Sequence, residues 1–196
     1  MKKALMLSAF VLLASSAAIA ADAPAPSAEQ QAMMAKMVKA GTPGPQHAML
    51  VKMAGDWDCV VRYQMDPSQP MQEEKTSATI SSLMDGRYVQ EVATGQMMGA
   101  PFNGMGLYGY DNVLGKYVST WIDNMGTGIM KSEGVADGNK INWVGVMSDP
   151  MTGKVAKSRM VTTVTDDDHH TFEMYGIPPG GKKETKMMTL EYTRRK

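Results

Sequence analysis

The chain has 196 residues, with 20 basic and 20 acidic side chains and a formal net charge of zero at pH 7, so it presents no electrostatic footprint for nucleic acid or anionic lipid. Its single cysteine, Cys59, excludes an intrachain disulfide. Histidine is scarce and methionine abundant, 3 against 21, so any site chemistry must be drawn from a narrow set of side chains.

Lys2 and Lys3 open the chain, Ala4 to Ala14 is an apolar run broken only by Ser8, and Ala18-Ile19-Ala20 has the small-x-small pattern of a cleavage site. These features predict a Sec-type signal peptide over residues 1–20, cut after Ala20, and a periplasmic or secreted mature protein. The apolar run is shorter than the ~20 residues that a bilayer-spanning helix needs, so no membrane anchor is expected. Cleavage leaves 18 basic and 20 acidic residues and a length that suits one domain.

Asp22 to Ala28 is rich in Pro and Ala and lacks apolar periodicity, which reads as a flexible leader within residues 21–44. Ser27, with Gln30 in the capping-box position, starts a helix expected to run through Lys39, with Gly41 as its stop. Met33, Met34 and Met37 share one face of it. After the Thr42-Pro43-Gly44-Pro45 turn, a second short helix is expected over about 46–54.

From Asp56 onward the apolar period becomes two. Trp57, Cys59, Val61 and Tyr63 alternate with Asp58, Arg62 and Gln64, the pattern of a half-buried strand. Further strands are predicted at about 73–83, 87–95, 104–110, 116–123, 127–136, 140–147, 154–165, 170–176 and 184–193. Tight connections such as Asp85-Gly86 and Asp137-Gly138 separate them and suit antiparallel hairpins. No helical segment interrupts the series, so the expected class is all-β, an antiparallel up-and-down calycin-like barrel of about ten strands over 45–196. Closure removes both sheet edges and leaves room for a small ligand. A two-sheet sandwich is the alternative.

Gly55-Asp56-Trp57 at the mouth of the first strand resembles the Gly-x-Trp signature of lipocalins and related calycin barrels. The longer pattern is more specific: His47-x-x-Leu50, Met84-Asp85-Gly86-Arg87-Tyr88, Pro101-Phe102-x-Gly104, Gly109-Tyr110-Asp111, Lys116-Tyr117 to Trp121-x-Asp123, Asp149-Pro150-Met151-Thr152-Gly153 and Tyr192-Thr193-Arg194. It resembles the bacterial domain-of-unknown-function-1579 family, over about residues 45 to 195. The resemblance implies a calycin-like fold in which an arginine after the last strand, Arg194 or Arg195, covers Trp57 and closes the barrel. It implies no activity. A related haem-binding barrel group uses a histidine near the chain end, and here no histidine follows His170.

Tyr117, Ser119, Trp121 and Asp123 share one strand parity. If that side faces inward, Tyr117, Trp121 and Asp123, with Tyr63 and Trp143 from other strands, form the candidate ligand-binding set for a small apolar or amphipathic molecule. The competing reading of Asp123 is a cap on the Asn124 to Gly126 turn; the competing functions are an enzyme built on Asp123 and nearby aromatics, and an envelope scaffold without ligand. His47 is expected to cap or plug one barrel end. Asp166 to Asp168 with His169 and His170 is expected to be a solvated hairpin tip, and adjacent residues of an extended chain point opposite ways. Cys59, inside a strand, is expected to be inert. The methionines, including Met97-Met98 and Met187-Met188, are spread over nearly every strand, which favours packing or a plastic lumen over copper binding. No metal, cofactor or catalytic motif stands out.

Overall fold

A computed structural model describes residues 25–64, 68–150, 152–177 and 181–196. The signal peptide expected over 1–20 lies outside the described residues. The chain divides into two units, residues 1–37 and 38–196.

Helix α1 spans Ala28–Gly41. Its capping box forms as expected: the Gln30 backbone N–H donates to Ser27 Oγ at 3.2 Å, and the Ser27 N–H donates to Gln30 Oε1 at 2.7 Å. Met33, Met34 and Met37 are exposed. Helix α2, Pro45–Val51, starts with proline at a position where its missing N–H is unneeded. His47 caps it, Nδ1 accepting from the Gly44 N–H at 3.0 Å, and is buried. The helix stops before the expected Ala54 because its last turn tightens: the N–H groups of Met53 and Ala54 donate to the carbonyls of Leu50 and Val51, three residues back. That turn delivers the chain into the first strand with Leu50 and Met53 buried.

Ten strands follow: β1 Gly55–Tyr63, β2 Gln72–Leu83, β3 Tyr88–Met97, β4 Ala100–Asp111, β5 Lys116–Asp123, β6 Met130–Asp137, β7 Lys140–Asp149, β8 Lys154–Val164, β9 His169–Gly176 and β10 Thr185–Arg194. Each pairs antiparallel with its sequence neighbours, and β1 pairs with β10, so the sheet is a closed up-and-down barrel. Closure rules out the sandwich. Period-two alternation places Trp57, Cys59, Val61 and Tyr63 inside, and burying such side chains stabilises the fold by about 1.5–3 kcal/mol each for the larger ones.

The largest difference from expectation is at β4, which begins at Ala100 instead of near 104. Met97 pairs directly with Ala100, and the two-residue turn between them, Met98 and Gly99, has positive φ at both positions, matching the twist of the flanking strands. Pro101 is tolerated in β4 because pairing with β5 begins only at Gly104, so its missing N–H costs no ladder bond on that side. β6 likewise begins at Met130, later than the expected 127.

The barrel mouth at β1 is locked by one arginine. The Arg194 guanidinium lies 4.2 Å from the Trp57 ring, while its Nη1 and Nη2 donate to the carbonyls of Ala54 (2.7 Å) and Lys52 (3.0 Å). Arg195 takes a different place, donating to Asp58 Oδ1 from Nε and Nη2. Gly55 sits at φ 145°, and a Cβ there would collide with Arg194 Nη1. Gly55→Ala is therefore expected to lower the unfolding free energy by about 1–3 kcal/mol, seen as a lower urea midpoint.

Candidate functional site

The inward stripe of β3 reads Val89, Glu91, Ala93, and all three are buried. A carboxyl in an apolar stripe needs partners, and two tyrosines supply them. Glu91 pairs across the ladder with Gly106 of β4, where a Cβ would stand 2.6 Å from the Tyr108 ring. The bare glycine thus lets Tyr108 fold over the backbone, and its hydroxyl donates to Glu91 Oε2 at 3.0 Å. From the far end of the chain, Tyr192 of β10 donates to Glu91 Oε1, also at 3.0 Å. Burial raises the Glu91 carboxyl above the ordinary carboxylate range, and the two hydrogen bonds oppose that shift without cancelling it. Both phenols are held well above their usual value, by burial first and by Glu91 next.

His170 completes the cluster. It enters β9 with its ring stacked on Tyr192 (centroids 4.0 Å apart) and in a T-shaped contact with Trp57 (4.4 Å). It is not part of the solvated tip expected from its neighbours: β9 starts at His169, and the period of two sends His169 outward to Asp166 (2.9 Å) and His170 into the core. Burial, and then the nearby Arg194 cation, lower its pKa to about 4, so it is neutral at pH 7. Its Nδ1 is buried and has no hydrogen-bond partner among the described residues.

Glu91, Tyr108, Tyr192 and His170 border a cavity of about 40 Å³, whose apolar wall includes Ile80, Val89 and Phe172, with Met53 also on it. That is room for a few waters or one small chemical group; pockets for drug-sized ligands run to hundreds of Å³. The cavity is therefore small and mostly apolar, with the polar groups of Glu91, Tyr108, Tyr192 and His170 on its wall.

The predicted ligand-binding residues fall in different places. Trp143 lines the cavity, its Nε1 donating to Thr162 Oγ1 at 3.1 Å. Tyr117 is buried beside it, ring centroids 6.0 Å apart. Trp121 and Asp123 share the inward parity but lie further along β5, with Trp121 Nε1 donating to Asp123 Oδ2 at 2.8 Å. The other Asp123 oxygen accepts from the Met125 N–H at 3.0 Å, capping the turn. Tyr63 donates to Glu74 Oε1 at 2.8 Å, away from the cavity wall. Trp57 and Arg194 form the closure described above. Cys59 is buried, which, with Glu91 nearby, pushes its thiol up to about 12 and leaves it protonated. Among the described residues no group of three His, Cys, Asp or Glu side chains is placed to hold a metal ion, and no helix is long and apolar enough to cross a membrane.

Glu91, Tyr108, Tyr192 and His170 were missed as a site. The signal for Glu91 was present as a carboxyl at the centre of Val89-Glu91-Ala93, on the apolar parity of its strand.

A closed ten-stranded calycin-like barrel with a polar cluster in its lumen defines the class. Within it, the chain belongs to the family of proteins of unknown function DUF1579, whose model matches residues 42–194. Among solved structures it is similar to Rv2717c from M. tuberculosis, at 13% identity over 79% of this chain and 100% of that one, with a TM-score of 0.58; at that identity the likeness concerns the fold alone. It is also similar to a redesigned beta barrel, at 12% identity over 76% of this chain and 95% of that one, with a TM-score of 0.40. No curated protein matches in sequence.

Proposed function

We propose that the protein binds a small amphipathic molecule in its lumen without transforming it, the polar group meeting Glu91 and His170 and the apolar part resting on Ile80, Val89 and Phe172. The observation that carries this reading is the unpartnered Nδ1 of buried His170 beside a buried carboxyl on the wall of one cavity. Packing alone gains nothing from either group, since an orphan buried nitrogen and a desolvated carboxyl both cost stability. A molecule offering one hydrogen-bonding group satisfies the imidazole and leaves the tyrosine bonds to Glu91 intact.

Size follows from the volume. At about 40 Å³ the cavity takes a group of a few heavy atoms, and a larger body needs its wall to yield, Met53 being part of that wall. Met53 is unbranched and adaptable, and it sits at the turn between α2 and β1. Export across the inner membrane, read from residues 1–20, belongs to the same proposal and puts the ligand in the envelope or outside.

Native mass spectrometry of protein purified from its own host tests the reading. The expected result is a non-covalent adduct of low mass on the wild type that is lost in Glu91→Leu. A wild type that carries no adduct, or an adduct equally retained by Glu91→Leu, favours the scaffold reading instead.

A further inference from the structure

Exposed apolar side chains are not spread evenly over the barrel wall. The outward residues of β3, β4 and β5 line up in rows through the ladder: Val92 pairs with Met105 and Met105 with Ile122, while Gln90 pairs with Leu107 and Leu107 with Thr120. Val92, Met105, Leu107 and Ile122 are 44, 40, 42 and 40% exposed. One row further on, the Tyr88 ring lies over Gly109, where a Cβ would stand 2.7 Å from it, and Val118 is the β5 partner of that glycine. Thr94 and Asn103 form the row at the other end.

No outward residue of this face is charged from Tyr88 to Gln96, from Pro101 to Gly109 or from Val118 to Ile122. Asp111 and Lys116 pair only at its end, and Glu91 of β3 points into the lumen. The flanking strands differ at once: β2 turns Lys75 outward, and β6 turns Lys131 and Glu133 outward. Exposed apolar residues elsewhere are broken up by charge, as Val144 is between Glu133 and Arg159 on the adjoining strands. A charge-free apolar face three strands wide marks a surface that is covered in use, because loss of charge at the centre of a patch is the compositional sign of an interface.

We propose that the outer face of β3, β4 and β5 docks on the same face of a second copy of the chain, forming a two-fold dimer. A partner recognised by charge has nothing to read here, whereas the face is complementary to itself. A two-fold axis lying in the interface along β4 sets each row opposite itself. Val92 then meets Ile122 of the partner subunit, Met105 and Leu107 meet their own counterparts, and Gln90 meets Thr120 of the partner subunit. Within one chain the Gln90 amide donates to the Met105 sulfur at 3.1 Å, a weak acceptor, and a threonine hydroxyl across the axis is a stronger one. At ~4.8 Å between strands and ~3.4 Å per residue, three strands over the 12 residues of β4 measure roughly 14 by 40 Å, or about 560 Å² in projection. A standard interface takes about 800 Å² of accessible surface from each partner, so the face supplies a small, reversible dimer and not an obligate one. No residue of the lumen cluster takes part, so the dimer stands or falls separately from the ligand reading.

Sedimentation equilibrium of the protein purified from its host, between about 1 μM and about 1 mM, spans the range in which a small interface dissociates. The weight-average mass is expected to rise from one chain to two and to stop there. Met105→Lys/Leu107→Lys, which buries unpaired ammonium groups in the interface, is expected to weaken the dimer by about 100-fold or more. Val144→Lys, on the charged part of the wall, leaves the dissociation constant unchanged. Should the double lysine variant not fold, Asn103→Cys gives a second reading: the residue lies on β4 beside the axis, so diamide is expected to oxidise two such thiols to one disulfide between chains, while Val144→Cys stays unlinked and Cys59 is buried. A wild type that remains one chain at every concentration, whether or not it binds vesicles of phosphatidylethanolamine and phosphatidylglycerol, would overturn the proposal. So would association that continues past two chains, a dimer untouched by Met105→Lys/Leu107→Lys, or Asn103→Cys left unlinked.

Discussion

Trp57→Ala is expected to lower the unfolding free energy by about 3–5 kcal/mol, the range for truncating a buried tryptophan. The ring is 1% exposed and joins three parts of the barrel mouth. Its Nε1 donates to the Met53 carbonyl at 2.9 Å, its face carries the Arg194 guanidinium, and it makes a T-shaped contact with His170. Truncation strands a buried carbonyl and removes the surface that holds the arginine over the β1 strand. For a barrel of this size the loss corresponds to a fall in Tm of about 6–20 °C. Urea titrations of Trp57→Ala beside Trp121→Ala check it: Trp121 is only half-buried, so its truncation is expected to cost clearly less. Equal losses would mean that the Trp57 mouth is not the principal closure.

The second large effect is a pair of opposed pH dependences. The folded-state pKa of His170 is lowered from 6.5 to about 4, so between those values the unfolded chain binds more protons than the folded one. Stability is complete above pH 6.5 and falls as pH drops toward 4, by about 3 kcal/mol at pH 4. Glu91 is shifted the other way: its raised pKa means that its contribution is complete below 4.5 and is lost as pH rises through the folded value. Acidification from pH 7 therefore weakens the fold through His170 and strengthens it through Glu91. Chemical denaturation from pH 7 to pH 4 is expected to show a shallower loss in His170→Phe than in the wild type and a steeper one in Glu91→Gln. Asp166 and Glu173, whose pKa values are lowered by hydrogen bonds, lose stability on acidification in every variant alike, so the differences isolate the two buried groups. Parallel pH curves for all three proteins would show that neither group is desolvated as described.

The barrel was legible because its signals are local. The alternation of Trp57, Cys59, Val61 and Tyr63 marks one strand without reference to any other, and the Ser27 and Gln30 capping box lies within four residues. The polar cluster is not local. Tyr108 reaches Glu91 across 17 residues of chain and Tyr192 across 101, so their convergence depends on register and on barrel closure. His170 was misplaced by one step of period two, because the three preceding aspartates suggested a longer solvated tip than the chain forms. Asp123 drew attention because it shares a strand with Trp121, and its two oxygens are both engaged within five residues of chain.

A titration with phenol, a small ring bearing one hydroxyl, tests the lumen site most directly when followed in ¹³C-methyl methionine spectra. Met53 lines the same cavity as Glu91 and His170, so the Met53 methyl, assigned through Met53→Leu, is expected to shift saturably with phenol in the wild type and not in Glu91→Gln. A Met53 resonance that stays fixed while exposed methionines such as Met84 and Met98 shift, or the same saturable shift in both proteins, would contradict a ligand site at the Glu91 cluster.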